Sequence, residues 1–258
     1  MQDQRFSIAR ANSLYLGPRR GLLGTLVSEK NLFDRYTLET FEQDPVTSKK
    51  AGGAATGTTG DENVLCMGSN MFEYHIIGTQ TKLAPVLVAT GLAVTMDETT
   101  GDGIELTQGI LARSKQAMVI GTDRFYLKCQ AYIETVAECA ELAVGFRKAE
   151  AYQALIDGYA DMAVLNSIIG TITIETIVGG AATTSTSTTD TWADGESHTL
   201  EVYVSRGGVV TYKIDGVAPT VTAAFTFTDA LTVVPFFHFL HGGTPAAVII
   251  RDWECGLQ

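Results

Sequence analysis

Charge is scarce in this chain. Asp, Glu, Lys and Arg make up 18% of its 258 residues, where a typical globular domain carries about a quarter. Proline is scarcer, with six residues, which leaves little room for long linkers. The four cysteines, Cys66, Cys129, Cys139 and Cys255, form no C-x-x-C pair and no Cys/His cluster. Zinc-ligand spacing is therefore missing. The thiols are expected to be small buried hydrophobes in a protein made in a reducing cytoplasm. The opening Met1-Gln2-Asp3-Gln4-Arg5 lacks the apolar core of a secretory signal. No apolar run reaches the ~18 residues of a membrane span, so no membrane partner is expected. There is no G-x-S-x-G elbow, and the glycines at 52–60 are not followed by the G-K-[ST] of a phosphate loop.

What is present is a β-forming composition. Hydrophobic residues make up 45% of the chain, and Thr and Val, which suit a pleated surface, are abundant. One all-β domain can reach roughly 200–250 residues. Net charge is −11, which argues against a nucleic-acid partner, since phosphate neutralisation dominates that binding. The charge is uneven. Residues 1–50 hold 8 basic and 6 acidic side chains, residues 51–150 hold 7 and 12, and residues 151–258 hold 3 and 11. The N-terminal segment alone is suited to an acidic partner surface.

Residues 1–50 show little periodicity. Leu14-Tyr15-Leu16 runs into the turn signal Gly17-Pro18-Arg19-Arg20-Gly21. The stretch from Lys49 to Gly60 is rich in Gly, Thr and Ala and has almost no side chains able to pack. Residues 1–60 are therefore read as an N-terminal arm with a linker, and 61–258 as the β body. Strands are expected at Val86–Val88, Leu92–Val94 and Gly103–Thr107. Phe125 to Glu134 alternates, with Phe125, Leu127, Cys129, Ala131 and Ile133 on one face. Glu141–Arg147 reads as its neighbour, and 148–158 as a loop with one helical turn. Thr171–Ile177 is a strand, and Thr183–Thr189 an exposed or edge tract. His198–Val204 and Val209–Gly216 form a hairpin across Arg206-Gly207-Gly208. Leu231–Leu240 and Ala246–Trp253 are expected to complete the sheet. Many short strands split by turns indicate an antiparallel β-sandwich or barrel.

The run from Trp192 through Asp194-Gly195, His198 and Val204, followed by Tyr212-Lys213-Ile214-Asp215-Gly216-Val217, resembles the concanavalin A-like lectin/glucanase superfamily. Ile249–Glu254 looks like the closing strand of such domains. The resemblance covers about residues 120–258 and implies an all-β jelly roll; it says little about activity. The whole chain also resembles virion structural proteins of tailed bacteriophages, through its arm-plus-jelly-roll layout, Leu14–Pro18 and the Trp192–Gly216 hairpin. That resemblance implies a capsid decoration or cement protein on the virion surface, made in the host cytoplasm, bound to the major capsid protein and trimeric.

No catalytic residues emerge. Glycoside hydrolysis needs two carboxylates facing one sugar, and the E-x-D-x-x-E string of the related laminarinases is absent. Asp252 and Glu254 share a strand face, read as an exposed strand edge, and Glu201 is placed on the solvent side of its hairpin. His238 and His241 lie three apart in a strand, hence on opposite faces and unsuited to one metal. His198 begins a strand and is read as a turn or capping residue. Asp97–Gly103 is read as a solvated turn rather than a calcium loop. Neither a metal nor a cofactor is expected. For sugar binding, the candidate aromatics are Trp192, Tyr203, Tyr212, Phe236, Phe237 and Phe239, with core packing the default role.

The leading expectation is a non-enzymatic virion structural protein. Its arm would hold the shell through Arg5, Arg10, Arg19, Arg20 and Arg35, with Leu14, Tyr15 and Leu16 as apolar anchors. The alternative is a carbohydrate-binding module or adhesin with a glycan as partner.

Overall fold

The computed structural model describes residues 37–39, 46–49, 62–67, 70–78, 85–95, 99–108, 117–244 and 246–258. Within these ranges the chain is nearly all strand. In order they are β1 (Thr37–Glu39), β2 (Val46–Lys49), β3 (Glu62–Met67), β4 (Asn70–Ile77), β5 (Val86–Val88) and β6 (Gly91–Ala93). Then come β7 (Gly103–Thr107), β8 (Met118–Val119), β9 (Phe125–Ile133), β10 (Cys139–Lys148), β11 (Met162–Ile168) and β12 (Thr171–Ile177). The last six are β13 (Thr184–Thr191), β14 (Glu196–Val204), β15 (Val209–Ile214), β16 (Phe225–Thr226), β17 (Thr232–His241) and β18 (Val248–Leu257). The segment after β10 holds a single 3-10 turn, Ile156–Gly158, in place of a longer helix.

These strands build two antiparallel sheets. One, of eight strands, runs β16-β15-β14-β9-β18-β6-β5, with β1 also on β18. The other, of ten, runs β13-β12-β11-β10-β17-β7-β4-β3-β2, with β8 also on β17. Two short pieces of the segment read as an arm and linker are thus strands, Thr37–Glu39 beside β18 and Val46–Lys49 beside β3. The strand 141–147, read as a neighbour of 125–134, lies in the opposite sheet, because β9 and β10 are joined by a connection that crosses the sandwich. β17 and β18 likewise enter different sheets rather than completing one. Pro235 is accommodated inside a central strand where β17 passes from β8 to β7 as its partner, since a residue without N–H suits a gap in a ladder.

One continuous core fills the space between the sheets. The alternation in β9 buries Phe125, Leu127, Cys129, Ala131 and Ile133 there, as the period of two requires. Trp253 of β18 meets Phe72 of β4 edge to face at 5.6 Å, and its indole N–H donates to Gln108 at 3.0 Å. Phe125 and Phe146 make a second edge-to-face contact across the layers, at 4.9 Å. Cys129 and Cys139 are buried free thiols, and Cys255 is buried beside them in the core. Burial, the largest cause, pushes the Cys129 and Cys139 thiols well above their ordinary range, which suppresses the reactive thiolate.

The turn that follows β15 explains its own sequence. Asp215 and Gly216 both have positive φ, 52° and 83°, the type I′ geometry that Asp-Gly suits. Asp215 accepts the Thr199 N–H at 2.7 Å and lies 2.6 Å from His198 Nδ1. The His198 ring meets Trp192 edge to face at 4.9 Å. The Trp-His-Asp-Gly pattern is a turn lock, and His198 has the turn role expected of it.

Candidate functional site on the outer face of the ten-stranded sheet

An outer sheet face is ordinarily solvated and polar. Here it is polar yet covered. Cross-strand register aligns Asn166, Ala143, His238, Glu105 and His75 in one row over five adjacent strands. The four polar members of that row have no exposed surface. Residues 149–161, between β10 and β11, lie over part of this face, where Ile156 and Tyr159 join Met162, Val164 and Phe236 in a second small core.

Toward one end of the row Glu105, Arg147 and Tyr159 satisfy one another. Arg147 donates to Glu105 Oε1 from Nε at 3.1 Å and from Nη2 at 2.7 Å. Its Nη1 donates to the carbonyls of Lys148 and Glu150. The Tyr159 hydroxyl donates to Glu105 Oε2 at 2.5 Å, and its ring lies 4.5 Å beneath the guanidinium. Burial pulls the Arg147 guanidinium down, but Glu105 and its neighbours outweigh it and hold the group above its ordinary value. Burial, then Glu105, pushes the Tyr159 phenol up. This network fastens the 149–161 segment to the sheet. Tyr152 in the same segment stacks flat on His75 at 4.4 Å.

At the other end hydrogen-bonding capacity is left over. Asn166 Nδ2 donates to Glu175 at 2.9 Å, while its Oδ1 has no partner among the described residues. His238 Nδ1 lies 2.9 Å from Glu141 Oε1, at ion-pair distance but off the axis of a hydrogen bond. His238 Nε2 also lacks a partner among the described residues. An unsatisfied buried polar group costs about 1–3 kcal/mol, so several together ask for an explanation. Burial pushes the Glu175 carboxyl up against the opposing Asn166 hydrogen bond, and Glu141 pushes it further. Glu141 is the most accessible of the set, its side chain 19% exposed. The set combines a carboxylate, a carboxyl inclined to keep its proton, an amide oxygen and an imidazole.

The residues singled out beforehand fall elsewhere. Arg5, Arg10, Leu14, Tyr15, Leu16, Arg19, Arg20 and Arg35 lie outside the described residues. Trp192, Tyr212, Phe236, Phe237 and Phe239 are buried, and Tyr203 is half-buried. Asp252 and Glu254 share the outer face of the eight-stranded sheet, opposite Gln130 and Lys128. Their strand is central, not an edge, because β9 lies on one side and β6 and β1 on the other. Glu201 does face outward but is 4% exposed, covered by Lys128 at 3.6 Å and the Tyr203 hydroxyl. His238 faces outward, while His241 packs on Phe239 at 4.6 Å, a core side chain. The alternation argument for these two histidines holds. Among the described residues no group of three or more His, Cys, Asp or Glu is arranged to hold a metal ion. Glu105, Glu141, Arg147, Asn166 and Glu175 were not anticipated. The available signal was a polar residue on the non-core side of strands such as Gly103–Thr107.

No family model and no curated protein matches this chain. Solved structures do. The carbohydrate recognition domain of Emp46p in its potassium-bound form superposes with a TM-score of 0.52 at 8% identity, over 71% of this chain and 88% of that one. Its metal-free form gives 0.50 at 8% identity, over 72% and 87%. A galectin from Caenorhabditis elegans gives 0.37 at 15% identity, over 54% and 87%. The fold is a concanavalin A-like jelly roll. At such identities the likeness is one of architecture, and function has to be argued from the side chains.

Proposed function

We propose that this protein is a carbohydrate-binding domain that takes an uncharged glycan on the outer face of its ten-stranded sheet. The observation that carries this reading is the unused hydrogen-bonding capacity of Asn166, His238 and Glu141 on one sheet face. Sugar hydroxyls both donate and accept, so they suit a mixed set of carboxylate, amide oxygen and imidazole. The fold shared with a carbohydrate recognition domain fits this reading. Glu141 and Glu175 in this set, on a chain of net charge −11, disfavour acidic sugars by like-charge repulsion.

Titration calorimetry on the whole chain tests this with uncharged and uronic-acid oligosaccharides. Uncharged sugars should bind and acidic ones should not. His238→Gln, with its fold checked by circular dichroism, should weaken binding about tenfold, the equivalent of about 1.4 kcal/mol for one hydrogen bond. Failure of both sugar classes to bind, or unchanged binding by a folded His238→Gln variant, rejects the reading.

A second reading draws on the charge division of the sequence, since residues 1–50 hold 8 basic and 6 acidic side chains on a chain of net charge −11. In it the protein decorates a capsid through Arg5, Arg10, Arg19, Arg20 and Arg35. Co-sedimentation of the full chain with capsids lacking it decides the matter, and loss of sedimentation on mixing alone ends it.

A further inference from the structure

The outer face of the eight-stranded sheet carries a row of charges in strict alternation. Register places Lys213 opposite Glu201, Glu201 opposite Lys128, and Lys128 opposite Glu254, on β15, β14, β9 and β18. One step along the strands, Thr211, Tyr203, Tyr126 and Gly256 form a parallel row. Tyr203 and Tyr126 stack at 5.8 Å, with Lys213 over the first ring at 5.3 Å and Lys128 over the second at 5.8 Å. Their hydroxyls donate to Glu201 and Glu254. Of the seven Lys and Arg in residues 121–258, Lys128, Lys213 and Arg251 sit on this face. A strongly acidic chain thus holds one face whose charges balance.

We propose that this face docks a second copy of the same chain. A row that reads plus, minus, plus, minus is its own complement when reversed. Two such faces brought together about a two-fold axis parallel to the strands, between β14 and β9, set Lys213 of one copy against Glu254 of the other. The same operation sets Glu201 against Lys128, Tyr203 against Tyr126, and Thr211 against Gly256. A two-fold axis across the strands would instead set like charge on like. The pattern therefore selects one isologous arrangement and rejects the alternative by repulsion. The half-buried Tyr203, the buried Tyr126 beneath it in the stack and the small residues at each end of their row supply close contact, as at other protein interfaces. This arrangement is a dimer, unlike the trimer implied by resemblance to virion proteins.

Sedimentation equilibrium of the full chain and of two variants tests the arrangement. The natural protein should show a dimer mass that falls toward monomer as salt screens the row. Lys213→Glu and Glu254→Lys, each alone, should be monomeric, because each puts like charges together twice. An equimolar mixture of the two variants should recover a dimer, since every charge then meets its opposite. That recovery cannot arise from misfolding of either variant. A monomeric natural protein, dimeric single variants, or a mixture that stays monomeric overturns the proposal.

Discussion

Two turns of the same backbone type show how one residue sets local stability. At Asp215-Gly216 the left-handed position holds an aspartate whose side chain closes the turn. At Ile169-Gly170, between β11 and β12, it holds a β-branched isoleucine at φ 47°, 59% exposed. Left-handed backbone costs an L residue roughly 1–2 kcal/mol, and here no buried contact offsets it. Ile169→Asn should stabilise the fold by about 1 kcal/mol, seen as a rise in Tm of roughly 2–4 °C; an unchanged or lower Tm refutes the strain argument. Glu175 makes a second residue-scale case. Its folded pKa lies above the ordinary 4.5, chiefly through burial. Well below 4.5 both folded and unfolded chains hold the proton and its contribution is complete. As pH rises, the unfolded chain releases its proton first, so stability declines until the folded carboxyl has also ionised. Denaturant midpoints measured across this window should fall, and Glu175→Gln should flatten that fall. The Asp215 turn was legible in the sequence because Asp-Gly is a local signal. The Asn166–Glu175 and Glu105–Arg147 pairs were not, because they depend on which strands lie side by side.

Elements were legible where polar and apolar residues alternate along the strand. The alternating segment at 125–133, the strand 171–177 and the hairpin of β14 and β15 all stand where the pattern places them. The Thr- and Ser-rich tract is the edge strand β13, a polar edge that discourages pairing with other chains. β11 escaped notice because its residues, Met162-Ala163-Val164-Leu165-Asn166-Ser167-Ile168, do not alternate polar with apolar, whereas the equally buried β12 alternates Thr and Ile. The Ala- and Glu-rich residues after β10 carry helix propensity, yet they are spent on the Arg147 network and the covering of the sheet. Tertiary contacts there outweigh a weak local preference. Allocation of strands to sheets was not legible either. Nothing within residues 125–148 records that the chain crosses the sandwich between β9 and β10.

At the scale of the molecule, long-range pairings hold the two sheets together. β17 lies between β10 on one side and β7 and β8 on the other, and β18 between β9 on one side and β6 and β1 on the other. Both strands belong to the final 27 residues of the sequence, yet both are central. A chain ending at residue 247 would lack Trp253 and leave β9 and β6 without their shared neighbour. Such a truncation should remove the cooperative unfolding transition altogether, as near-ultraviolet circular dichroism would record; retention of a native-like spectrum would mean that β18 is dispensable. The same placement sets an order of events during biosynthesis. Every earlier strand leaves the ribosome before its sheet can close, and the middle of each sheet arrives last. The nascent chain therefore spends most of its synthesis with unpaired strand edges exposed, the condition under which β-rich chains associate wrongly. Yield in a host cell should therefore depend more on chaperone capacity than on the stability of the finished sandwich.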